Sequence, residues 1–350
     1  MRSERLRALL VAARGAWSPL LLVTTCALGA AACSKPTPPG DAATSGGERA
    51  ATPGDERATS STTVAVAASG SAAPVVSRLP QTELTWAYAD TPVGPMNAVV
   101  VVPERTAEQR FPVLVTFHGT GEARKGPAKG ARGWLDDYGM YRALERLKHP
   151  PLTREDLQGF ADDARLSQLN AALAKQPFQG LIVVNSYTPD MLRGDEPFTK
   201  IPPLAKFVVE ELLARARRET PAIGTAQTTG VDGISLGGRA ALAIGLRYPE
   251  AFAAVGGLQP AFDLANASKV AEQAALAKQK NPSLGFRLLT SDGDFFLAST
   301  KAMSQAMQRA GVAHSLVVVP GPHDYPFNRG PAVYELLLYH DRALRGLPPI

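Results

Sequence analysis

Cysteine is scarce in this chain of 350 residues, which has only Cys26 and Cys33. Both lie near the N-terminus, so no disulfide framework can hold the rest of the chain together. If the chain is cleaved just before Cys33, Cys26 is removed and no disulfide can form within the folded part. A chain of this length can instead rely on a large hydrophobic core.

Motifs of metal and cofactor sites are also missing. The sequence contains no His-Glu-x-x-His pair, no paired cysteines and no Asp-rich calcium loop, and we therefore predict no metal site. A Walker-type phosphate loop is absent, and Gly237-Gly238 lacks the spacing of a dinucleotide fingerprint. We accordingly predict that the protein uses no cofactor.

A marked excess of one charge is lacking once the N-terminal leader is set aside. The whole chain carries a formal net charge of +5 at pH 7. Residues 1–32 contribute four arginines against one glutamate, so the remainder has a net charge of +2. This near balance gives no support to nucleic-acid binding, and we predict no nucleic-acid partner.

The first 32 residues have the pattern of an export signal. A basic segment precedes the apolar stretch Ala16 to Ala32, which is short for a membrane-spanning helix. Small residues then lead to Cys33, which resembles a bacterial lipoprotein signal, where cleavage just before a cysteine leaves that cysteine lipidated. Ala30 stands where such signals usually have leucine, and ordinary signal-peptidase cleavage nearby is the alternative. We expect an exported protein of the cell envelope, anchored to the membrane through Cys33.

Residues 33–78 are dominated by small residues and proline. They contain no aromatic residue and few large aliphatic ones, so they cannot bury enough apolar area to fold. We predict a flexible tether that holds the folded domain away from the membrane. A tail without a role has the same composition. The folded domain is predicted to span residues 79–350.

Apolar runs rich in β-branched residues alternate with helical patterns along residues 79–350. Several runs, such as Val113-Leu114-Val115, are continuous, as expected of strands buried on both faces. The first two strands lie close together around Gly94-Pro95 and are predicted to form an antiparallel hairpin. The pattern predicts an α/β fold with a mostly parallel central sheet of about eight strands and helices on both faces. The predicted strands are Leu84–Ala89, Asn97–Pro103, Pro112–His118, Gly180–Ser186, Gly230–Ile234, Ala253–Leu258, Phe286–Ser291 and Ser315–Val319. The predicted helices are Trp134–Lys148, Arg154–Lys175, Ile201–Arg217, Leu236–Tyr248, Ala298–Ala310 and Pro331–Leu344.

The segment Gly233-Ile234-Ser235-Leu236-Gly237 matches the pattern G-x-S-x-G. A predicted strand leads into it and a predicted helix leads out, which is the setting of a nucleophile elbow. We predict that Ser235 is the nucleophile, held at strained backbone angles. The N–H of Leu236 is expected to face the oxyanion that forms during attack. The alternative is a glycine-rich helix start without chemistry.

A serine hydroxyl needs a base to become a good nucleophile. His323 follows the predicted strand Ser315–Val319, and loops at the carboxyl ends of strands are where α/β enzymes place catalytic groups. His323 also comes after Ser235 in the chain, which agrees with the order serine, acid, histidine that catalytic triads of such folds follow. His149, His314 and His340 are expected to be structural or solvated.

Two carboxylates compete for the role of the acid that orients His323. The strand Phe286–Ser291 leads into Asp292-Gly293-Asp294-Phe295. We favour Asp294, because Gly293 permits the turn that projects it and Phe295 is expected to begin the return to the core. Asp292 is the alternate acid. Asp-Gly-Asp also forms a good turn without any catalytic role.

A second oxyanion donor is expected after the strand Pro112–His118. The loop His118-Gly119-Thr120-Gly121 contains glycines that let backbone N–H groups face the site. We predict the N–H of Thr120 as the donor, beside that of Leu236. His118 itself is expected to be structural and to pack the loop.

From Phe111 to Leu344 the chain resembles the esterase family that includes esterase D, feruloyl esterases and related carbohydrate and acyl esterases. The residues that carry the resemblance are Phe117-His118-Gly119-Thr120-Gly121-Glu122, Gly233-Ile234-Ser235-Leu236-Gly237-Gly238 with Ala240 and Leu242, Tyr248-Pro249-Glu250-Ala251-Phe252 and Gly321-Pro322-His323-Asp324. The resemblance implies an α/β-hydrolase fold, triad roles for Ser235, Asp294 and His323, and an oxyanion hole at Thr120 and Leu236. Residues 122–179 match no pattern of the family and are expected to shape the acyl or alcohol pocket.

These observations predict a serine esterase that cleaves a carboxylic ester of a small molecule or a carbohydrate through an acyl-enzyme. An envelope acyltransferase and a peptidase use the same fold and the same kind of triad, so both stay open as alternatives. A third alternative is a binding module that keeps the fold without the activity, but none of the three candidate triad positions is broken in this sequence.

Overall fold

A computed structural model describes residues 78–191 and 199–350 of the chain. In these residues, eight strands form one sheet. Each strand lies where the sequence predicts one, with ends that differ by a few residues. The strands are β1 Thr82–Tyr88, β2 Met96–Val102, β3 Val113–Phe117, β4 Ile182–Ser186, β5 Thr229–Gly233, β6 Ala254–Leu258, β7 Gly285–Gly293 and β8 Ser315–Pro322.

The strand order is β1-β2-β4-β3-β5-β6-β7-β8. The β1–β2 hairpin is antiparallel, β2 is antiparallel to β4, and the remaining neighbours are parallel. The predicted hairpin and the mostly parallel sheet are therefore confirmed. Because β3, β5, β6, β7 and β8 run in the same direction, the residues that follow them meet along one side of the sheet, which we call the carboxyl edge.

The central strands β3, β4, β5 and β6 are buried along their whole length. Val115, Val183 and Val231 are among their completely buried side chains. Burial of such a side chain stabilises the fold by roughly 1.5–3 kcal/mol. Strands buried on both faces require helices on both sides of the sheet, in agreement with the continuous apolar runs of the sequence.

The helices lie between the strands and after the last one. Four of the predicted helices agree with the structure apart from their ends, namely those that begin near residues 201, 236, 298 and 331. The α-helices are α1 Thr120–Ala123, α2 Pro127–Gly130, α3 Met140–Lys148, α4 Asp163–Lys175, α5 Ile201–Phe207, α6 Leu213–Glu219, α7 Leu236–Arg247, α8 Ala267–Lys280, α9 Leu297–Arg309, α10 Tyr325–Phe327 and α11 Val333–Ala343. Wider π-helical turns occupy Gly133–Asp137, Val208–Leu212 and Asn328–Ala332.

Two helix predictions were wrong at their N-terminal ends. The helix expected from Trp134 is interrupted at Gly139, which has a φ of 70°, a left-handed conformation that glycine adopts without a steric penalty. The helix expected from Arg154 begins only at Asp163. Asp162 accepts a hydrogen bond of 2.7 Å from the N–H of Arg165, and this cap fixes the start of α4.

Helix α8 was missed by the sequence analysis. Its buried face consists of four alanines and Val270, whereas its one leucine, Leu276, is exposed. The stripe of large apolar residues that normally marks a helix is therefore absent from the sequence, although the helix packs against its neighbours.

The structure describes none of residues 1–32 and only the last residue of the predicted tether, residues 33–78. The export signal, the lipidation of Cys33 and the tether therefore stay predictions. Among residues 78–191 and 199–350, no helix has both the length and the hydropathy needed to span a membrane.

Candidate active site

The turn between β5 and α7 holds Ser235 in a conformation that few side chains adopt. Its φ is 57° and its ψ is −117°, a strained combination for a residue with a Cβ. The N–H of Ser235 donates to the carbonyl of Leu258 at 2.9 Å. This bond fastens the turn to the end of β6, so the neighbouring strand holds the strained conformation as in a nucleophile elbow.

Gly237 allows the start of α7 to approach the end of β3. A Cβ at this position would lie 2.2 Å from the carbonyl oxygen of Phe117 and 2.6 Å from that of His118. Only glycine fits such a contact. On the same side of the turn, the Cβ of Ser235 lies 3.7 Å from the point where a Cβ on Gly119 would be. The candidate nucleophile therefore adjoins the loop that was predicted to supply an oxyanion donor.

The pairing of β7 with β8 places the candidate acid and base side by side. The strand register shifts between Ser291 and Gly293, after which Gly293 pairs with Pro322. Asp294 and His323 immediately follow the two strands, and Oδ1 of Asp294 lies 2.8 Å from Nδ1 of His323. Because an ionised carboxylate only accepts hydrogen bonds, Nδ1 carries the proton and Nε2 is the nitrogen that can act as a base.

Asp294 is buried, and both of its oxygens have donors. Oδ1 also accepts from the N–H of Phe296 at 2.9 Å, and Oδ2 accepts from the hydroxyl of Thr290 at 2.6 Å. With the imidazole of His323, three donors hold the carboxylate. Hydrogen bonds to an ionised acceptor are about twice as strong as those between neutral groups, so the carboxylate has one fixed orientation toward His323.

Asp292, the alternate acid, is exposed and accepts a hydrogen bond from a residue other than His323. Its Oδ1 accepts from the N–H of Gly321 at 3.0 Å. Gly321 has a φ of 133°, and a Cβ there would lie 2.8 Å from the ring of Phe327, so this turn requires glycine. The structure thus places Asp294 against His323, while Asp292 supports the turn that precedes it.

The hydroxyl of Ser235, the candidate nucleophile, and the imidazole of His323, the candidate base, are not hydrogen-bonded to each other in this structure. Among the described residues, the hydroxyl of Ser235 has no hydrogen-bond partner, in contrast to the bonded pair of Asp294 and His323. Ser235 is partly exposed, and the side chain of His323 is 13% exposed, so substrate can reach both. In enzymes without substrate, this bond is often long and shortens when the substrate binds.

The two predicted oxyanion donors are the first residues of helices. Thr120 begins α1 and Leu236 begins α7, so neither N–H has an acceptor within its own helix. Their preceding residues, Gly119 and Ser235, provide no side-chain cap. Both N–H groups are therefore available to an anion that forms next to Ser235.

A buried carboxylate connects the loop after β3 to the loop after β8. Glu122 accepts from the hydroxyl of Tyr325 at 2.7 Å and from the hydroxyl of Tyr138. Tyr138 in turn accepts from the N–H of Gly119 at 3.2 Å. Burial, together with the adjacent carboxylate, raises the pKa of both tyrosines above the ordinary value, so both remain protonated donors. Sequence analysis named Glu122 only within the motif that carries the family resemblance and gave none of these three side chains a role of its own.

His118 is buried beside the site, and both of its ring nitrogens are used. Nε2 accepts from the N–H of Thr188 at 2.9 Å, so Nδ1 donates to the carbonyl of Gly119 at 3.0 Å. Burial lowers the pKa of His118 to about 4. This neutral ring packs the loop, as expected. The other histidines contact Glu145 (His149), Ser304 (His314) and Asp232 (His340).

Gln259 supports the site and was missed in the sequence. It is buried, has a φ of 42°, and donates from Nε2 to the carbonyl of Pro322 at 3.0 Å and to the hydroxyl of Ser291 at 2.7 Å. It thereby holds the residue that immediately precedes His323. A polar residue directly after an apolar strand at the carboxyl edge was the signal that could have identified it.

Phe295 does not begin a return to the core, and this prediction was wrong. Its side chain is 71% exposed. The bond from the N–H of Phe296 to Asp294 turns the chain directly into α9, so Phe295 stays at the surface. Its ring lies on the imidazole of His323, with ring centroids 4.1 Å apart.

The strand order, the parallel sheet and the strained serine turn together define an α/β-hydrolase fold, which confirms the predicted fold class. Residues 198–326 match a family model described as "Putative esterase". The matched segment includes Ser235, Asp294 and His323. The family match and the fold support the carboxylic ester hydrolase that the sequence predicts.

Solved structures with the same fold include several esterases. A ferulic acid esterase is 19% identical, with a TM-score of 0.57, and the match covers 75% of this chain and 99% of that one. An S-formylglutathione hydrolase from Agrobacterium tumefaciens is 15% identical, with a TM-score of 0.53, and covers 77% and 99%. A ferulic acid esterase from Anaeromyces mucronatus is 15% identical, with a TM-score of 0.51, and covers 75% and 92%. At these identities the likeness establishes the fold.

One curated protein, NADPH–cytochrome P450 reductase from Oryctolagus cuniculus, is 29% identical over 127 residues. The match covers 32% of this chain and 18% of that protein. The chain therefore spans less than a fifth of the length of the curated relative.

Proposed function

We propose that the protein is a serine esterase that hydrolyses a carboxylic ester through an acyl-enzyme on Ser235. The observation that carries the proposal is the strained turn of Ser235 at the same sheet edge as the bonded pair of Asp294 and His323. A histidine held in this tautomer by a carboxylate can take the proton of a serine hydroxyl. The match of residues 198–326 to an esterase family supports the same reaction.

In the first half-reaction, Nε2 of His323 removes the hydroxyl proton of Ser235 as Oγ attacks the ester carbonyl. The carbonyl oxygen becomes an oxyanion, which the N–H groups of Thr120 and Leu236 stabilise. The intermediate then collapses: the bond from the carbonyl carbon to the alcohol oxygen breaks, and His323 gives its proton to the leaving alcohol. Ser235 is left as an acyl ester.

In the second half-reaction, a water molecule replaces the alcohol. His323 takes a proton from the water, which attacks the acyl carbon through a second oxyanion. The acid leaves, and the proton returns to Oγ of Ser235. Asp294 stays ionised throughout, because its role is to hold the Nδ1 proton and stabilise the imidazolium.

A fluorophosphonate probe and p-nitrophenyl acetate test the proposal. We expect one fluorophosphonate adduct, on Ser235, and ester hydrolysis that is lost in Ser235→Ala while the far-UV spectrum and the melting temperature are retained. Ser283→Ala, which changes an exposed serine in the loop before β7, is the matched control and is expected to keep full activity. A folded wild-type protein without an adduct on Ser235 would contradict the proposal.

The substrate is proposed to be an oxygen ester or a thioester of a small molecule or carbohydrate. The structural neighbours include ferulic acid esterases and an S-formylglutathione hydrolase, which supports this range. An ester panel that varies the acyl group and the alcohol, with acetylated sugars and feruloyl esters, identifies the preferred substrate. Adding alcohols or sugars as acceptors distinguishes hydrolysis from acyl transfer, and aminopeptidase and dipeptidyl substrates test peptide cleavage.

We also propose that the domain is exported and attached to a membrane through a lipid on Cys33. The support is the sequence of residues 1–33 alone. The mature N-terminal peptide is expected to carry lipid on Cys33 by mass spectrometry, and Cys33→Ser is expected to release the protein from membranes. An unmodified N-terminus at another position would favour ordinary signal-peptidase cleavage.

A further inference from the structure

We propose that Phe295 is a positioning residue for His323: its ring fixes the plane of the imidazole and favours the imidazolium that forms during turnover. This inference rests on the proposed function, because it assigns a role to a neighbour of the catalytic base. It is carried by the arrangement of three rings at the carboxyl edge and by the exposure of Phe295.

The ring of Phe295 lies nearly parallel to that of His323. The two centroids are 4.1 Å apart and the planes are inclined by 28°, which is closer than most aromatic pairs in proteins. Phe296 meets the imidazole edge-on, at 5.7 Å and 65°. One face of the imidazole is therefore covered by Phe295, and a second ring limits its rotation.

Packing of the core does not require a ring at position 295. The side chain is 71% exposed, so it gains only a small part of the free energy that full burial of a phenylalanine provides. Among the residues that the structure describes, its ring contacts are with His323 and Phe296. A side chain that touches the imidazole and contributes little to the core is better explained by an effect on the imidazole.

The turn that carries Phe295 is held by Asp294, the same carboxylate that holds His323. Oδ1 of Asp294 accepts both the N–H of Phe296, at 2.9 Å, and the proton on Nδ1 of His323, at 2.8 Å. The turn that carries Phe295 and the imidazole are thus fixed to one oxygen atom. Stacking follows from this shared acceptor, because the oxygen atom that orients the base also holds the turn that carries the ring.

The face of an aromatic ring attracts a cation, and the imidazolium is a flat, delocalised cation. Asp294 contacts His323 directly, and Asp292 and Asp324 belong to the turns on either side of it. Glu122 is connected through Tyr325, and two cations lie on the same side, Lys125 at 3.6 Å from Glu122 and Arg329 over the ring of Tyr325. Phe295 differs from these charged groups because it can be removed without changing any charge or hydrogen bond of the site.

Phe295→Leu removes the aromatic face and keeps an apolar side chain. We expect the acid limb of the fluorophosphonate labelling rate to move to lower pH by roughly half a unit, from the strength of such contacts at exposed sites. Its plateau should fall about three-fold, because a less basic imidazole takes the proton of Ser235 less readily. Phe295→Tyr keeps the aromatic face and should restore both values.

Two readings on the full chain test this: the titration of the His323 ring by NMR, assigned from its loss in His323→Ala, and the pH dependence of Ser235 labelling. Leu276→Ala, which truncates an exposed apolar side chain on α8, is the control and should change neither. An unchanged pKa and an unchanged plateau in Phe295→Leu would overturn the role of Phe295 and leave the proposed esterase intact. If the probe failed to label the wild type at any pH, the proposed esterase activity would be overturned. The NMR titration would still show whether the ring of Phe295 affects His323.

Discussion

The hydroxyl of Tyr325 donates a hydrogen bond of 2.7 Å to the buried carboxylate of Glu122. Tyr325 lies two residues after His323, and Glu122 lies two residues after Thr120. The bond therefore joins the loop of the candidate base to the loop of a candidate oxyanion donor. Neither loop belongs to a long helix or strand at this point, so their separation depends on side-chain contacts such as this one.

We expect Tyr325→Phe to lower kcat/KM about five-fold, since a net loss of about 1 kcal/mol corresponds to a change of that size. The ring remains, and Glu122 keeps the hydroxyl of Tyr138 and the ammonium of Lys125, which lies 3.6 Å away. The fold should therefore be retained. Hydrolysis of p-nitrophenyl acetate and a thermal melt on the same preparation measure the two effects.

Tyr141→Phe is the matched control for that variant. The hydroxyl of Tyr141 donates to Glu83, a carboxylate on β1 at the far side of the sheet from β8. Removing it deletes a hydroxyl-to-carboxylate bond of the same kind without touching either loop of the site. Equal losses of activity in the two variants would show that the Tyr325 bond has no specific effect on the site.

Replacing the candidate acid separates the two carboxylates that the sequence left in competition. Asp294→Asn keeps the shape of the side chain but puts an uncharged amide against the imidazole, so the Nδ1 proton is no longer held by a charge. We expect kcat to fall on the order of 10³–10⁴-fold. Asp292→Asn keeps an acceptor for the N–H of Gly321 and should change kcat less than about three-fold. Steady-state hydrolysis of an activated ester by both variants decides the assignment, and a larger loss in Asp292→Asn would reverse it.

The strands and the serine turn were predictable because local sequence determines them. Val113-Leu114-Val115 is apolar on both faces, and a strand with that pattern has to be central in the sheet. Gly237 must be glycine because α7 meets the carbonyl of Phe117, so the turn around Ser235 is visible in the sequence. The order of the triad along the chain then indicated His323.

Other features depend on contacts between distant segments, which no local pattern records. The choice between Asp294 and Asp292 follows from a register shift at the end of β7 against β8. The exposure of Phe295 is different, because it follows from a local bond between Phe296 and Asp294 that turns the chain into α9. The pairing of Glu122 with Tyr325 joins residues that are remote in sequence, and the alanine face of α8 offers little hydrophobic contrast.

The buried ring of His118 predicts a loss of stability in acid. Burial lowers the pKa of His118 from 6.5 to about 4 in the folded protein. As the pH falls below 6.5, His118 becomes protonated in the unfolded chain but stays neutral in the folded protein. The contribution of His118 to the free energy of unfolding is therefore fully present above pH 6.5 and is lost between pH 6.5 and pH 4. The contribution lost between pH 7 and pH 5 is about 2 kcal/mol.

His118→Asn tests this, because an amide does not titrate in that range. Urea unfolding at pH 7 and pH 5 should show a drop in the free energy of unfolding that is about 2 kcal/mol smaller in the variant than in the wild type. Other groups titrate equally in both proteins, so the difference isolates His118. Equal drops would mean that the ring is not buried in its neutral form.

The hydroxyl of Thr290 offers the most direct test of how the acid is held, because the chain contains a matched partner for it. Thr290 donates to Oδ2 of Asp294 at 2.6 Å, whereas the buried hydroxyl of Thr300 has no partner among the described residues. Thr290→Val leaves a buried carboxylate oxygen without its donor, and we expect a loss of about 1–3 kcal/mol in the free energy of unfolding together with a lower kcat. Thr300→Val removes an unsatisfied hydroxyl by the same chemical change, so stability should be unchanged or higher and kcat should stay at the wild-type value. Urea unfolding and ester hydrolysis of the two variants compare the sites directly. If both variants behaved alike, Thr290 would not be fixing Asp294, and the orientation of His323 would have to depend on its bond to Asp294 and its stacking on Phe295.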